Sequence, residues 1–211
     1  MKTDATTEEI ASPRRADTRE RVLAAASAIL ERDGYAGLTM ERVAAESGAA
    51  KTTVYRTWPT KASLCMDLYL DVAQRELRDP DTGDVANDLR QIANTVVRLQ
   101  TKTVAGPAFL GLIAEAQTNP ATRKEFLRFA ERRRTITRAI LRRGIERGQI
   151  REDADVDLII DALGGAVTFR LLQGHAPLTA RFTTALVDLI LSGCQHVSPK
   201  QRAAKGREND R

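Results

Sequence analysis

Lys51, Thr52, Tyr55 and Arg56 stand at i, i+1, i+4 and i+5, which places them together on the outward face of a short helix. Val54 and Trp58, four apart, take the opposite face and turn toward a core. Two cations, a phenol and a hydroxyl can reach phosphates and base edges of duplex DNA, so this face has the chemistry of a nucleic-acid reader.

The surrounding stretch Leu38 to Leu64, LTMERVAAESGAAKTTVYRTWPTKASL, reads as two short helices joined by a glycine turn. Thr39 N-caps the first, Val43, Ala44 and Ser47 face inward, and Gly48 permits the tight turn. The second helix is expected over residues 52–57, with Pro59 as its stop. Thr60 then caps a longer helix carrying Leu64, Leu68 and Val72. Lys61, in the first turn of that helix, opposes the helix dipole unless it serves an external anion. Upstream, Asp17 or Thr18 is placed to cap a bracing helix with Val22, Ala26, Ile29 and Leu30 on one face, ended by Gly34 near Tyr35. Residues 1–16 are polar without apolar periodicity and read as a flexible arm.

The run through Leu38-Thr39, Val43-Ala44, Gly48, Lys51, Thr53-Val54-Tyr55, Trp58-Pro59, Lys61 and Leu64 resembles the N-terminal domain of the tetracycline-repressor (TetR) family of one-component transcription regulators. The resemblance covers residues 17–65. It implies that Lys51, Thr52, Tyr55 and Arg56 meet bases or adjacent phosphates, and that Thr39, Thr53, Thr57 and Lys61 hold the DNA backbone. Two positions depart from the family's habit. Ala50 stands where a serine often caps the recognition helix, which leaves Thr52 or Thr53 as alternative caps. Thr52 replaces a frequent glycine at the closest approach to the groove.

Beyond Arg78, the polar segment DPDTGD marks a boundary. Asp84 caps a helix with Val85, Leu89, Ile92, Val96 and Leu99 in period, and Gly106-Pro107 and Asn119-Pro120 punctuate the next two helices. The second of these, residues 121–147, is arginine-rich. That surface reads as a solvated basic face, although an apolar stripe that skips a turn near Arg133 and Arg134 leaves one of them for a buried acid or a ligand. Asp155 caps a helix that is apolar nearly all round, with Gly164-Gly165 midway, and Thr179 caps the last helix.

A helix apolar on several faces calls for cover by a second subunit. Leu163, Val167, Leu171, Phe182, Leu186, Leu189 and Ile190 are the candidate interface. In the family resembled, the last two long helices form a four-helix dimer bundle. Phe109, Leu112, Ile113, Gln117, Phe126, Phe129, Arg133 and Phe169 are candidate walls of an effector pocket, since they mix apolar surface with a few polar groups.

The expected fold is all-α: a flexible arm (1–16), a three-helix helix-turn-helix DNA-binding domain with its linking helix (17–78), a helical effector-binding and dimerisation domain (79–197) and a disordered basic tail (198–211). The formal charge is +5, but residues 199–211 alone carry five basic against two acidic residues, and residues 123–151 eleven against three. Net charge is therefore weak evidence for DNA binding. Cys65 and Cys194 are too far apart in sequence for a CxxC site, and His175 and His196 have no metal-ligand neighbours. No nucleophile-base pairing, phosphate loop or carboxylate cluster stands out, so catalytic residues, metals and cofactors are not expected. The absence of an apolar run of about 20 residues argues against a membrane span, and a cytoplasmic setting is expected. The composite expectation is a homodimeric regulator that represses from a palindromic operator and is released by a partly apolar small molecule. Control by a protein partner is the alternative, and an enzyme is the remote one.

Overall fold

The computed structural model describes residues 13–194, with side chains from Ala16 onward. Most of the expected arm, the basic tail and His196 lie outside the described residues. Every regular element among the described residues is an α-helix: α1 (Pro13–Gly37), α2 (Met40–Ser47), α3 (Lys51–Thr57), α4 (Lys61–Glu76), α5 (Val85–Lys102), α6 (Ala105–Thr118), α7 (Pro120–Glu146), α8 (Val156–Gln173) and α9 (Ala180–Cys194). The helices fall into two compact units. One runs to Asp71 and takes in Pro107–Glu125, while the other holds Val72–Gly106 and the chain from Phe126 onward.

In the first unit, Val22, Ala26, Ile29, Leu38, Val43, Val54 and Leu64 are fully buried, and each large aliphatic side chain among them contributes about 1.5–3 kcal/mol of transfer free energy. α1 begins upstream of the cap expected at Asp17 or Thr18. The Asp17 carboxylate pairs with Arg21 at 3.2 Å across one turn, and Pro13 is tolerated in a first turn because its missing N–H has no helical partner there. Gly34 does break the regular helix, at φ 66°. Asp67 of α4 accepts from Arg19 Nη2 at 2.8 Å and from Trp58 Nε1 at 2.9 Å, joining α1, the end of α3 and α4.

In the second unit, Asp84 caps α5 through Ala86 N and Asn87 N, Asp155 caps α8 through Leu158 N and Thr179 caps α9 through Phe182 N. α6 opens two residues before the position expected from Pro107. Thr103 Oγ1 accepts from Ala105 N at 3.1 Å and serves as its cap. Gly106 is required here, because a β-carbon would fall 2.0 Å from the Gln100 carbonyl oxygen. Leu89, Ile92, Ile140, Leu141, Ile150, Ile159, Ile160, Leu163, Val187 and Leu191 form the core of this unit.

Three arginines of α7, and Arg147 just beyond its end, are matched by acids of the same unit. Arg134 pairs with Asp157 and Asp161, Arg138 with Glu131 and Asp157, Arg143 with Asp79, and Arg147 with Asp81. The acids facing Arg134 are exposed, with side-chain exposures of 63% and 64%, so Arg134 does not take a buried acid. The Arg133 guanidinium lies 5.7 Å from the Phe129 ring centroid.

Candidate nucleic-acid interface

The α2–turn–α3 stretch is built from the inside out. Thr39 Oγ1 accepts from Arg42 N and starts α2, which brings Val43, Ala44 and Ser47 into the core. Gly48 then takes φ 65°, a left-handed turn that favours glycine. α3 opens at Lys51, one residue earlier than expected, after Ala50 in extended conformation and without a side-chain cap. Within α3, Val54 is 0% exposed and Trp58, which ends it, 4%, so the helix is pinned by one face.

The opposite face presents Lys51, Thr52, Tyr55, Arg56 and Thr57 to solvent, with Thr53 half-buried beside them. The four expected reader residues therefore share one surface. Thr57 Oγ1 donates to the Thr53 carbonyl at 3.1 Å and keeps its lone pairs outward. The Tyr55 hydroxyl donates to Glu41 Oε1 at 2.6 Å. That bond holds the Glu41 carboxyl below the usual range, with the Lys51 charge acting in the same direction, and pushes the Tyr55 phenol up. Tyr55 is thus a neutral donor engaged by a carboxylate, and an approaching phosphate or base must share or exchange that partner. Glu41 was not among the expected residues, since an acid in a first helical turn is explained by the dipole alone.

Lys61 sits at the start of α4, where Thr60 and Ser63 cap each other reciprocally: Ser63 N donates to Thr60 Oγ1 at 3.0 Å, and Thr60 N to Ser63 Oγ at 3.1 Å. The half-buried Lys61 places its Nζ 3.9 Å above the centroid of the Tyr35 ring. The Tyr35 hydroxyl donates to Glu115 Oε2 at 2.6 Å, and Glu115 Oε1 accepts from Thr122 Oγ1 at 2.8 Å. Burial first, and Glu115 second, push the Tyr35 phenol far up. Cys65 is fully buried, and burial pushes its thiol up to about 12.

The expected effector residues divide between the units. In the first, Phe109 and Leu112 are buried and Ile113 half-buried, whereas Gln117 is exposed and donates to the Ile113 carbonyl at 3.2 Å. In the second, Phe126 and Phe129 pair at 5.8 Å between ring centroids and Arg133 is half-buried. Phe169 is 58% exposed and lies 5.3 Å from His175, so it does not form an inner wall of its own chain. Of the interface candidates, Leu163 and Val167 are buried in their own chain. Leu171, Phe182, Leu186 and Ile190 are half-buried and Leu189 is 71% exposed.

Gln100, not among the expected residues, stands out by its burial. It is 3% exposed, and neither its Oε1 nor its Nε2 has a hydrogen-bond partner among the described residues. Its signal was a polar residue on the buried stripe of α5. Among the described residues no cluster of His, Cys, Asp and Glu could hold a metal ion, and no helix is long and apolar enough to cross a membrane.

Comparison with known proteins identifies the family. Residues 22–66 match the family described as bacterial regulatory proteins, tetR family, and residues 79–190 match the tetracyclin repressor-like C-terminal domain. The HTH-type transcriptional regulator YdeS of Bacillus subtilis is 30% identical over 187 residues, covering 88% of this chain and 94% of that protein. The DNA-binding transcriptional repressor TetR of Mycobacteroides abscessus is 34% identical over 182 residues, covering 84% and 94%. A crystal structure of the TetR family transcription regulator SCO0332 superposes with a TM-score of 0.74 at 39% identity, covering 87% of this chain and 100% of that one. The chain belongs to the TetR family of helix-turn-helix transcription regulators, DNA-binding proteins rather than enzymes.

Proposed function

We propose that the protein is a homodimeric repressor whose two copies of α3 occupy successive major-groove turns of a palindromic operator, about 34–36 Å apart. The observation that carries this reading is the face of α3: Lys51, Thr52, Tyr55 and Arg56 point outward from a helix anchored by Val54 and Trp58. In this reading Lys51, Thr52, Tyr55 and Arg56 meet bases or nearby phosphates, and Thr39, Thr53, Thr57 and Lys61 hold the backbone.

Pairing of two copies through α8 and α9 is supported by their exposed apolar residues. Leu158, Phe169, Leu172 and Leu189 are 52–71% exposed, and a β-carbon added at Gly164, Gly165 or Gly193 would meet nothing within 4 Å. Such a surface favours close approach of another helix.

A small-molecule effector is supported by Gln100. Leaving a buried donor and acceptor unpaired costs about 1–3 kcal/mol each, so a ligand carrying an adjacent donor and acceptor, as a carboxylic acid or amide does, is the complementary class. An effector that prefers the DNA-incompetent conformation by a few kcal/mol suffices to release the operator.

Selection of bound sequences from random duplex DNA at stated salt tests the reading, with Lys51→Ala and Tyr55→Phe alongside the unaltered protein. A palindromic preference that Lys51→Ala relaxes at defined positions is expected. A single asymmetric half-site, or a protein that sediments as a monomer, would refute it. A panel of amphipathic acids and amides, read by thermal stabilisation, tests the effector. A stabilising compound whose effect survives Gln100→Leu would exclude that residue from the site.

A further inference from the structure

Tyr35 holds together two groups with different tasks. Its ring lies beneath the Lys61 ammonium at 3.9 Å, and its hydroxyl is bound to Glu115 of α6 at 2.6 Å. The ring has little freedom to leave this place. A β-carbon at Gly111, one turn before Glu115, would fall 2.0–2.5 Å from three of its carbons, so the ring is packed onto the α6 backbone. Glu115 is fixed in turn through its other oxygen, which accepts from Thr122 at the start of α7. All these residues belong to the first compact unit.

A lysine at a helix N-terminus is repelled by the dipole, and its four-carbon stem has many rotamers to lose when it meets a phosphate. The face of an aromatic ring attracts the ammonium without consuming any of its three N–H donors. We infer that Tyr35 is a positioning residue for a DNA phosphate contact made by Lys61, and that Glu115 of α6 sets the position of Tyr35. The inference rests on the reading of Lys61 as a backbone contact. Through Tyr35, the DNA anchor at the head of α4 is tied to a side chain of α6, so the placement of α6 bears on DNA affinity through one phenol.

Titration of a duplex of about 30 base pairs of random sequence with the full chain, at about 50–200 mM salt, tests this without knowledge of the operator. Lys61→Ala is expected to weaken binding about fivefold and to lower the slope of log affinity against log salt by about one, the loss of one phosphate contact. Tyr35→Leu should produce the same two changes, and Lys61→Ala/Tyr35→Leu should be no weaker than Lys61→Ala alone. Tyr35→Phe keeps the ring and removes only the bond to Glu115. It should cost about twofold with a smaller loss of slope, and its own cycle with Lys61→Ala decides the matter if Tyr35→Leu does not fold. Circular dichroism confirms the folded fraction of each variant, and a merely structural role would leave the salt slope of folded protein unchanged. Additive losses, or unchanged affinity and slope in the Tyr35 variants while Lys61→Ala loses both, would overturn the positioning role. No change in Lys61→Ala would remove the phosphate contact itself, and the inference with it.

Discussion

The Tyr55 hydroxyl donates to Glu41 Oε1 at 2.6 Å, so the outward face of α3 is tethered to the first turn of α2 before any DNA arrives. The tether orders an exposed aromatic side chain but places a carboxylate beside the face proposed to meet phosphates. These effects oppose each other in affinity and combine in specificity. Glu41→Gln should tighten binding to random-sequence duplex about two- to fivefold by removing a repulsive charge. It should also narrow the ratio between preferred and random sequences, because Tyr55 is held less firmly. Competition titrations with a selected operator and a scrambled duplex read both numbers, and a widened ratio would contradict the ordering role of Glu41.

α3 starts without a side-chain cap. Ala50 has φ −60° and ψ 134°, an extended backbone compatible with the capping position, but no side-chain oxygen to accept from the first turn of α3. Ala50→Ser supplies that oxygen and should stabilise the protein by about 1 kcal/mol, measured as a raised urea midpoint with an unchanged m-value. A lowered midpoint would mean that the free N–H groups at this end already have a better partner.

The parts of the fold legible from sequence are those whose chemistry is local. Thr39, Asp84, Asp155 and Thr179 cap the helices they were expected to cap, because capping needs only a side-chain oxygen and the next three residues. Val54 and Trp58 turn inward because four-residue spacing leaves a short helix one anchored face. Asp17 misled because a carboxylate near a helix start can cap or can pair across a turn, and it pairs with Arg21. Phe169 misled because α8 is apolar all round, and such a helix carries no period to separate its inner face from its outer one. The Tyr35–Glu115 bond joins residues 80 positions apart, and no local pattern announces it.

Acid should weaken the second unit through Asp79. Arg143 binds both of its oxygens, at 2.7 and 2.9 Å, and holds its carboxyl below the ordinary range against a smaller opposing effect of burial. A group whose folded value is depressed contributes stability above its ordinary value, about 4 for an aspartate, and loses it as the pH falls through the depressed folded value. Asp79→Asn should therefore be less stable than the unaltered protein at neutral pH and converge with it in strong acid. The side chain is 46% exposed, which limits the neutral-pH difference to about 0.5–1 kcal/mol. Urea midpoints at neutral pH and below the ordinary aspartate range give the comparison, and a difference that is constant or grows on acidification would rule out the pair as its source.

Two glycines in helix interiors should respond to alanine with opposite signs. At Gly111 the new methyl group would meet the Tyr35 ring at 2.0–2.5 Å, and the ring is held at its far end by Glu115. Overpacking should outweigh the gain in helix propensity and destabilise the fold by about 1–3 kcal/mol, read as a lowered melting temperature. At Gly165 the methyl group would meet nothing within 4 Å of its own chain, so a single chain should gain about 0.5–1 kcal/mol from the reduced backbone freedom of its unfolded state. If α8 packs against α8 and α9 of a second copy, that same methyl group must hold the two helices apart. Gly165→Ala should then raise the dimer dissociation constant in sedimentation equilibrium, and the melting temperature at low protein concentration should gain less than the single-chain effect alone would give. A variant that self-associates as tightly as the unaltered protein would place the contact between subunits on a different face of α8.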